Sequence, residues 1–329
     1  MQNYKIIHNS QLITQNIFVP LHPIMKRILT AIVAAMVIYS CGQSYEETKR
    51  ITRAQRQKML REDSAALKVA VLPTLDCLPV FLAKDHQLFD SAVDIRLKRY
   101  TAQMDIDTAL TNRRVEIGVT DLVRAERLKR QGDSLRYLTA TNAYWQLVTN
   151  RGARITDLKH LDDKMLAMTR YSATDLVGDL AVDSAKLKTE RVFRIQVNDV
   201  NIRLKMLENN EMDALLLTEP QAAAARQLKH RVILDTRRLD IWLGAFVVQG
   251  KGMDDDSRKQ QLRVFTQGYN RACDSLNKYG VGHYKDLVMK YCHVREAAVD
   301  TLPKDLKFGR VALPREVDLM RARKWLGKK

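Results

Sequence analysis

Between Lys68 and Leu122 the spacing of apolar residues alternates between the strand and helix periods, and each switch predicts a new element. Lys68-Val-Ala-Val-Leu-Pro73 is a β-branched run interrupted by Pro73 to Pro79, after which Val80 to Leu88 carries apolar residues at helical spacing. Val93 to Leu97 alternates as a second strand. Met104 to Asn112 reads as a short helix, and Val115 to Thr120 as a third strand closing on Asp121. Successive βαβ units predict a parallel sheet, in which ligands bind beyond the carboxyl ends of the strands. Asp76 and Asp121 stand at two such ends.

The pattern then repeats. Leu135 to Ala140 and Tyr144 to Thr149 are extended, and Ile155 to Leu161 is a short capped helical turn. Met165 to Thr169, Val192 to Val197 and Ala214 to Thr218 read as strands, separated by helices over Asp175 to Ala185 and Val200 to Asn209. Gln221 to Lys229 is helical, Val232 to Leu234 and Gly244 to Gln249 are further strands, and the chain is helical from Asp254 onward. The two halves share a plan. Each has a strand-to-helix loop bearing hydroxyls or carboxylates, Thr74 to Asp76 and Tyr171 to Asp175, and a later strand ending in Thr and an acid, Thr120-Asp121 and Thr218-Glu219. Facing each other, two such lobes make a cleft walled by helix N-termini and strand ends.

Length and composition fit this picture. With 329 residues, 46% apolar and 28% charged, the chain can bury two ordinary cores. Lys and Arg number 55 against 38 Asp and Glu, a net +17. The positive charges are scattered over helix faces rather than gathered into an arm, and no nucleic-acid motif accompanies them, which argues against nucleic acid as a partner. No His, Cys, Asp or Glu group has metal-ligand spacing, and no cofactor is expected.

Near the N-terminus, Met25-Lys-Arg precedes the apolar run Ile28 to Ile38, with Ser40 just before Cys41. The run is short for a membrane span and reads as a signal sequence. It resembles the lipobox of bacterial lipoproteins, which implies that Cys41 is diacylated and becomes the mature N-terminus. Met25 fits the true start better than Met1, making residues 1–40 leader plus signal peptide. Residues 41–66 are polar and read as anchor and flexible tether, with Lys49, Arg50, Arg53, Arg56, Lys58 and Arg61 either solubilising it or touching anionic headgroups. Three cysteines remain. Cys273 and Cys292 either pair or stay as separate buried thiols, and Cys77 reads as a small buried residue.

Taken in order, Leu75 to Ala83, Val115 to Leu122, Tyr171 to Asp175, Arg203 to Glu208 with Glu211 to Pro220, and Leu313 to Asp318 with Trp325-Leu326 resemble one family. It is that of the substrate-binding proteins of ABC importers for nitrate, sulfonates and thiamine-precursor pyrimidines, in the type II periplasmic binding protein superfamily. The resemblance implies an α/β fold of two lobes, each a mostly parallel sheet flanked by helices, with a helical C-terminal region. Lobe one is expected over 67–145 and 240–329, and lobe two over 146–239. A monomeric envelope lipoprotein would close on a small-molecule solute and deliver it to an ABC permease, without catalysis. The ligand-binding residues implied are Thr74, Asp76, Asp121, Ser172, Ala173, Thr174, Asp199 and Glu219. Trp145, with Tyr144, is a candidate to stack on a planar ligand.

Other readings stay open for these residues. Asp76 and Asp121 equally suit helix caps, Ser172 and Thr174 suit capping and anion binding together, Trp145 suits the core, and Glu219 suits a solvated loop. Several carboxylates at the cleft favour a planar or amine-bearing solute, while the helix start at Ser172 suits an anion. The alternatives are an enzyme on the same fold, for which no nucleophile–base pair is evident, and a degenerate envelope lipoprotein whose cleft stays open and empty.

Overall fold

The computed structural model of the protein describes residues 45–329, so the proposed signal peptide and Cys41 lie outside the described residues. The expected flexible tether is instead a helix, α1, over Tyr45–Ala65. Its sequence explains this. Arg, Gln, Lys, Ala, Met and Leu dominate it without Gly or Pro, and 21 residues at helical rise span about 31 Å. Residues 50–62 are all exposed. Among the described residues no helix is long and apolar enough to cross a membrane.

Residues 65–329 form two five-stranded sheets of identical topology. The first joins β1 (Leu67–Val71), β2 (Ile95–Arg99), β3 (Ile117–Asp121), β4 (Leu135–Ala140) and β10 (Gly244–Gln249) in the order β2-β1-β3-β10-β4. The second joins β5 (Gln146–Thr149), β6 (Lys164–Met168), β7 (Val192–Gln196), β8 (Ala214–Leu217) and β9 (Arg231–Asp235) in the order β7-β6-β8-β5-β9. In each sheet only one strand runs against the rest: β10 is antiparallel to β3 and β4, and β5 to β8 and β9. Those two strands are the ones that arrive directly from the other sheet. The sheets are therefore mixed but mostly parallel, and the chain crosses between them at 141–145 and 236–243.

Helices fill the connections. In the first lobe these are α2 (Leu78–Asp85), α3 (Gln103–Thr111) and α4 (Leu122–Arg130), and in the second α5 (Ala173–Ser184), α6 (Val200–Glu208) and α7 (Gln221–Gln227). After β10 come α8 (Asp256–Tyr279), α9 (Lys285–Cys292), α10 (Glu296–Val299) and α11 (Glu316–Leu326). The helix α8 packs on α2, burying Phe265, Tyr269 and Cys273 in the core of the first lobe. Gly268 permits this approach: a Cβ there would meet the Phe89 ring at 2.3 Å. Cys77, Cys273 and Cys292 are all buried free thiols, which excludes the Cys273–Cys292 bond from this structure. Cys273 donates instead to the Gly309 carbonyl at 3.2 Å.

The lobes are closed on each other. One apolar cluster runs from Leu122 and Val123 of α4 through Ala173, Leu176 and Val177 of α5 to Leu319, Ala322 and Leu326 of α11. At the C-terminus, Trp325 Nε1 and Lys329 Nζ reach Asp179 of α5 at 2.7 and 2.9 Å. Across the opposite edge, Leu75 N donates to the Glu219 carbonyl at 2.8 Å and Gln221 Nε2 to the Pro73 carbonyl at 2.7 Å.

Candidate functional site

The closed lobes leave a small cavity of about 30 Å³ at their strand ends. A void of roughly 10–15 Å³ holds one water, so the space takes one or two. The first lobe lines it with Leu72, Thr74 and Asp76 after β1, Thr101 and Gln103 after β2, and Val119 and Thr120 of β3. The second lobe contributes Thr174 of α5, Asn198, Val200 and Arg203 around the start of α6, and Thr218 after β8, with Ala143 and Trp145 from the crossover. This matches the expectation for parallel sheets, where the loops at strand carboxyl ends converge on one crevice.

Of the residues singled out from sequence, Thr74, Asp76, Trp145 and Thr174 line the cavity, while Asp121, Ser172, Ala173, Asp199 and Glu219 do not. Their partners explain the division. Asp199 caps α6, its Oδ1 accepting from Asn201 N and Ile202 N at 2.8 and 3.0 Å. Glu219 is buried rather than solvated, accepting from Tyr144 Oη at 2.8 Å, Arg226 Nη1 at 2.7 Å and Ala223 N at 2.9 Å. That bond holds Tyr144 away from the cleft. Ser172 caps α5 through Thr174 N at 3.1 Å and passes its own proton to the Thr169 carbonyl at 2.7 Å, so its hydroxyl is saturated. Trp145 belongs to the apolar core of the second lobe and also lines the cavity.

The two aspartates of the first lobe differ. Asp76 makes no cap; Thr141 Oγ1 donates to its Oδ2 at 3.1 Å, and burial raises its pKa against the opposing hydrogen bonds of Thr74 and Thr141. Asp121 does cap α4, its Oδ1 accepting from Arg124 N at 3.0 Å. Its Oδ2 is buried without a hydrogen-bond partner. Burial pushes the Asp121 carboxyl up to about 6, although the Arg124 charge and backbone N–H oppose the rise. Gly244 sits opposite Asp121 on β10, and a Cβ there would fall 2.2 Å from Thr141 Oγ1, so this approach requires glycine. Behind Asp121, Arg124 is almost wholly buried and pairs with Asp107, which also accepts from Arg127 at 3.2 Å.

Arg203 is the functional candidate that sequence reasoning passed over. It lies on the buried face of α6 with Val200 and Leu207, lines the cavity, and is 7% exposed. Its Nη1 donates to the Leu216 carbonyl at 2.7 Å, its Nε has no partner, and no described carboxylate forms an ion pair with it. Burial lowers its pKa to about 10, opposed only by the charge of Asp199. A signal for it existed: a charged residue interrupts the Val200, Leu204, Leu207 stripe. Chemically, the cavity offers one guanidinium without an ion-pair partner, hydroxyls from Thr74, Thr101, Thr120 and Thr218, and a carboxyl whose pKa burial raises. Buried cations of this kind favour an anionic partner. Among the described residues no group of three or more His, Cys, Asp or Glu is placed to hold a metal ion.

No protein-family model and no curated protein sequence matches the chain. Solved structures do. The ligand-binding component of an ABC-type import system from Staphylococcus aureus, with zinc bound, superposes with a TM-score of 0.68 at 15% identity, covering 80% of this chain and 92% of that one. The alkanesulfonate-binding protein SsuA of Xanthomonas axonopodis pv. citri, bound to MOPS, gives 0.65 at 15% identity over 80% and 91%. The nitrate-binding protein NrtA of Synechocystis PCC 6803 gives 0.64 at 11% identity over 75% and 73%. The chain therefore has the type II periplasmic binding protein fold, the fold of solute-binding proteins that serve ABC importers.

Proposed function

We propose that this protein is a lipid-anchored solute receptor of an ABC importer, tethered through Cys41 at the envelope, which closes its two lobes over a small anion. What carries the reading is Arg203, a buried guanidinium without a carboxylate partner, lining a cavity between two lobes of this fold. The electrostatics favour an anion over the planar or amine-bearing solute that the acids alone suggested, because Asp199 and Glu219 are spent on internal hydrogen bonds and Asp76 is biased toward neutrality. Catalysis is not part of this reading. Burial raises the thiol pKa of Cys77, which suppresses the thiolate a nucleophile needs.

Native mass spectrometry of protein purified from its own host tests the proposal. A bound small acid, lost on denaturation and in an Arg203→Met variant, supports it; a ligand-free protein that no anion stabilises in a thermal-shift screen overturns it. The anchor has its own test. Cys41→Ser should move the protein from the membrane to the soluble fraction and abolish labelling by a palmitate analogue.

A further inference from the structure

A second cavity, about 870 Å³ and open to solvent, lies on a different face of α6 from the cleft. The cleft uses Val200 and Arg203 of that helix, and the groove uses Asn201, Leu204, Lys205 and Glu208. Its charges come from both lobes. The second lobe supplies Lys205, Arg151 after β5 and His230 before β9, while the first supplies His293 and Arg295 after α9. Glu208 is its one carboxylate. Arg151, Lys205 and Arg295 are exposed, and none forms an ion pair with a described residue.

Some basic side chains elsewhere are paired: Arg194 reaches Asp175 and Asp179, and Arg315 reaches Asp240 and Asp318. Three unpaired cations converging on one concave surface raise its potential and concentrate anions there. His230 lines the same groove. Its Nδ1 accepts from Arg151 N at 3.2 Å. Burial and the Arg151 charge lower the pKa of this histidine, against a backbone hydrogen bond with Thr149.

We propose that the groove binds a small polyanion carrying two or more phosphate or carboxylate groups, held by Arg151 and Lys205 from one lobe and Arg295 from the other. Guanidinium forks match such groups bidentately, and the volume suits a ligand of metabolite size. Because the contacts come from both lobes, an occupant bridges them. The proposal does not depend on the cleft reading.

Calorimetric titration of the purified protein with pyrophosphate and, separately, citrate tests it. Binding of at least one probe at one site per chain is expected, weakened about tenfold or more in the Lys205→Ala/Arg295→Ala double variant. Glu208→Gln, which removes the opposing charge, should tighten it severalfold. Arg203→Met should leave it unchanged, which separates the groove from the cleft. These side chains are exposed, so folding of the variants is checked by circular dichroism. Absence of heat for both probes at millimolar concentration, insensitivity to the double variant, or loss of binding in Arg203→Met would overturn the proposal.

Discussion

The two lobes share one topology, yet the walls they bring to the cleft carry opposite characters. On the first lobe the acid lining the cavity is Asp76, which accepts from a threonine, while Asp121, outside that lining, keeps one oxygen unpartnered. On the second lobe Asp199 and Glu219 are held in internal hydrogen bonds, and the charged group lining the cavity is the cation Arg203. Asp121, Asp199 and Ser172 are thus used for helix capping, whereas Asp76 and Arg203 are left at the cavity. Topology decides where chemistry can sit, while partner satisfaction decides which groups are available for it.

The sharpest way to break this comparison is to remove the support behind the first wall. Asp107→Ala leaves Arg124, 1% exposed, without its carboxylate and should cost about 3–5 kcal/mol in urea unfolding, because an uncompensated charge stays buried. A loss below about 1 kcal/mol would mean the cluster is solvated.

Next comes Asp121. Its folded pKa of about 6 lies above the value of 3.8 expected when unfolded, so the folded state binds the extra proton, and stability should fall as pH rises from about 4 to 6. Asp121→Asn retains a capping oxygen and should flatten that window, a change on the order of 2–3 kcal/mol between its ends. An unchanged pH profile of the unfolding midpoint would contradict the buried, underpartnered state.

On the second wall the expected effects are smaller. Ser172→Ala removes the cap of α5 and should cost about 1 kcal/mol in the same unfolding experiment. Arg203→Met should be near neutral, within about 1 kcal/mol, or stabilising, since it replaces an uncompensated buried cation by an apolar side chain of similar length. A loss of several kcal/mol would make Arg203 structural and shift the weight of the comparison to the first wall.

Much of this architecture was legible beforehand. Both β4 and β10 have the bounds their alternation predicts, and most other strands differ by one or two residues. Their mixed direction was not, because periodicity fixes which residues face the core and says nothing about strand order. The segment before Leu67 was misread for a related reason: a helix without an apolar stripe has the same sequence appearance as a solvated coil, and only the absence of Gly and Pro distinguishes it. At the site, loop position identified Thr74, Asp76, Trp145 and Thr174 as candidates, and these meet at the cavity. Glu219 carries the same sequence signal as Asp121, yet its hydrogen bonds come from Tyr144, Arg226 and Ala223, contacts that local sequence does not encode. Arg203 was missed because a single arginine within a helix reads as surface until its neighbours are known to be buried.

The central claim is that the cleft closes on a small anion through Arg203. Isothermal titration of the purified protein and of Arg203→Met, against parallel panels of small oxyanions or sulfonates and of small amines, tests it most directly. The account predicts that an anion binds one to one and that the variant loses this binding while remaining folded. Binding of an amine but no anion, or anion binding that survives in Arg203→Met, would contradict it.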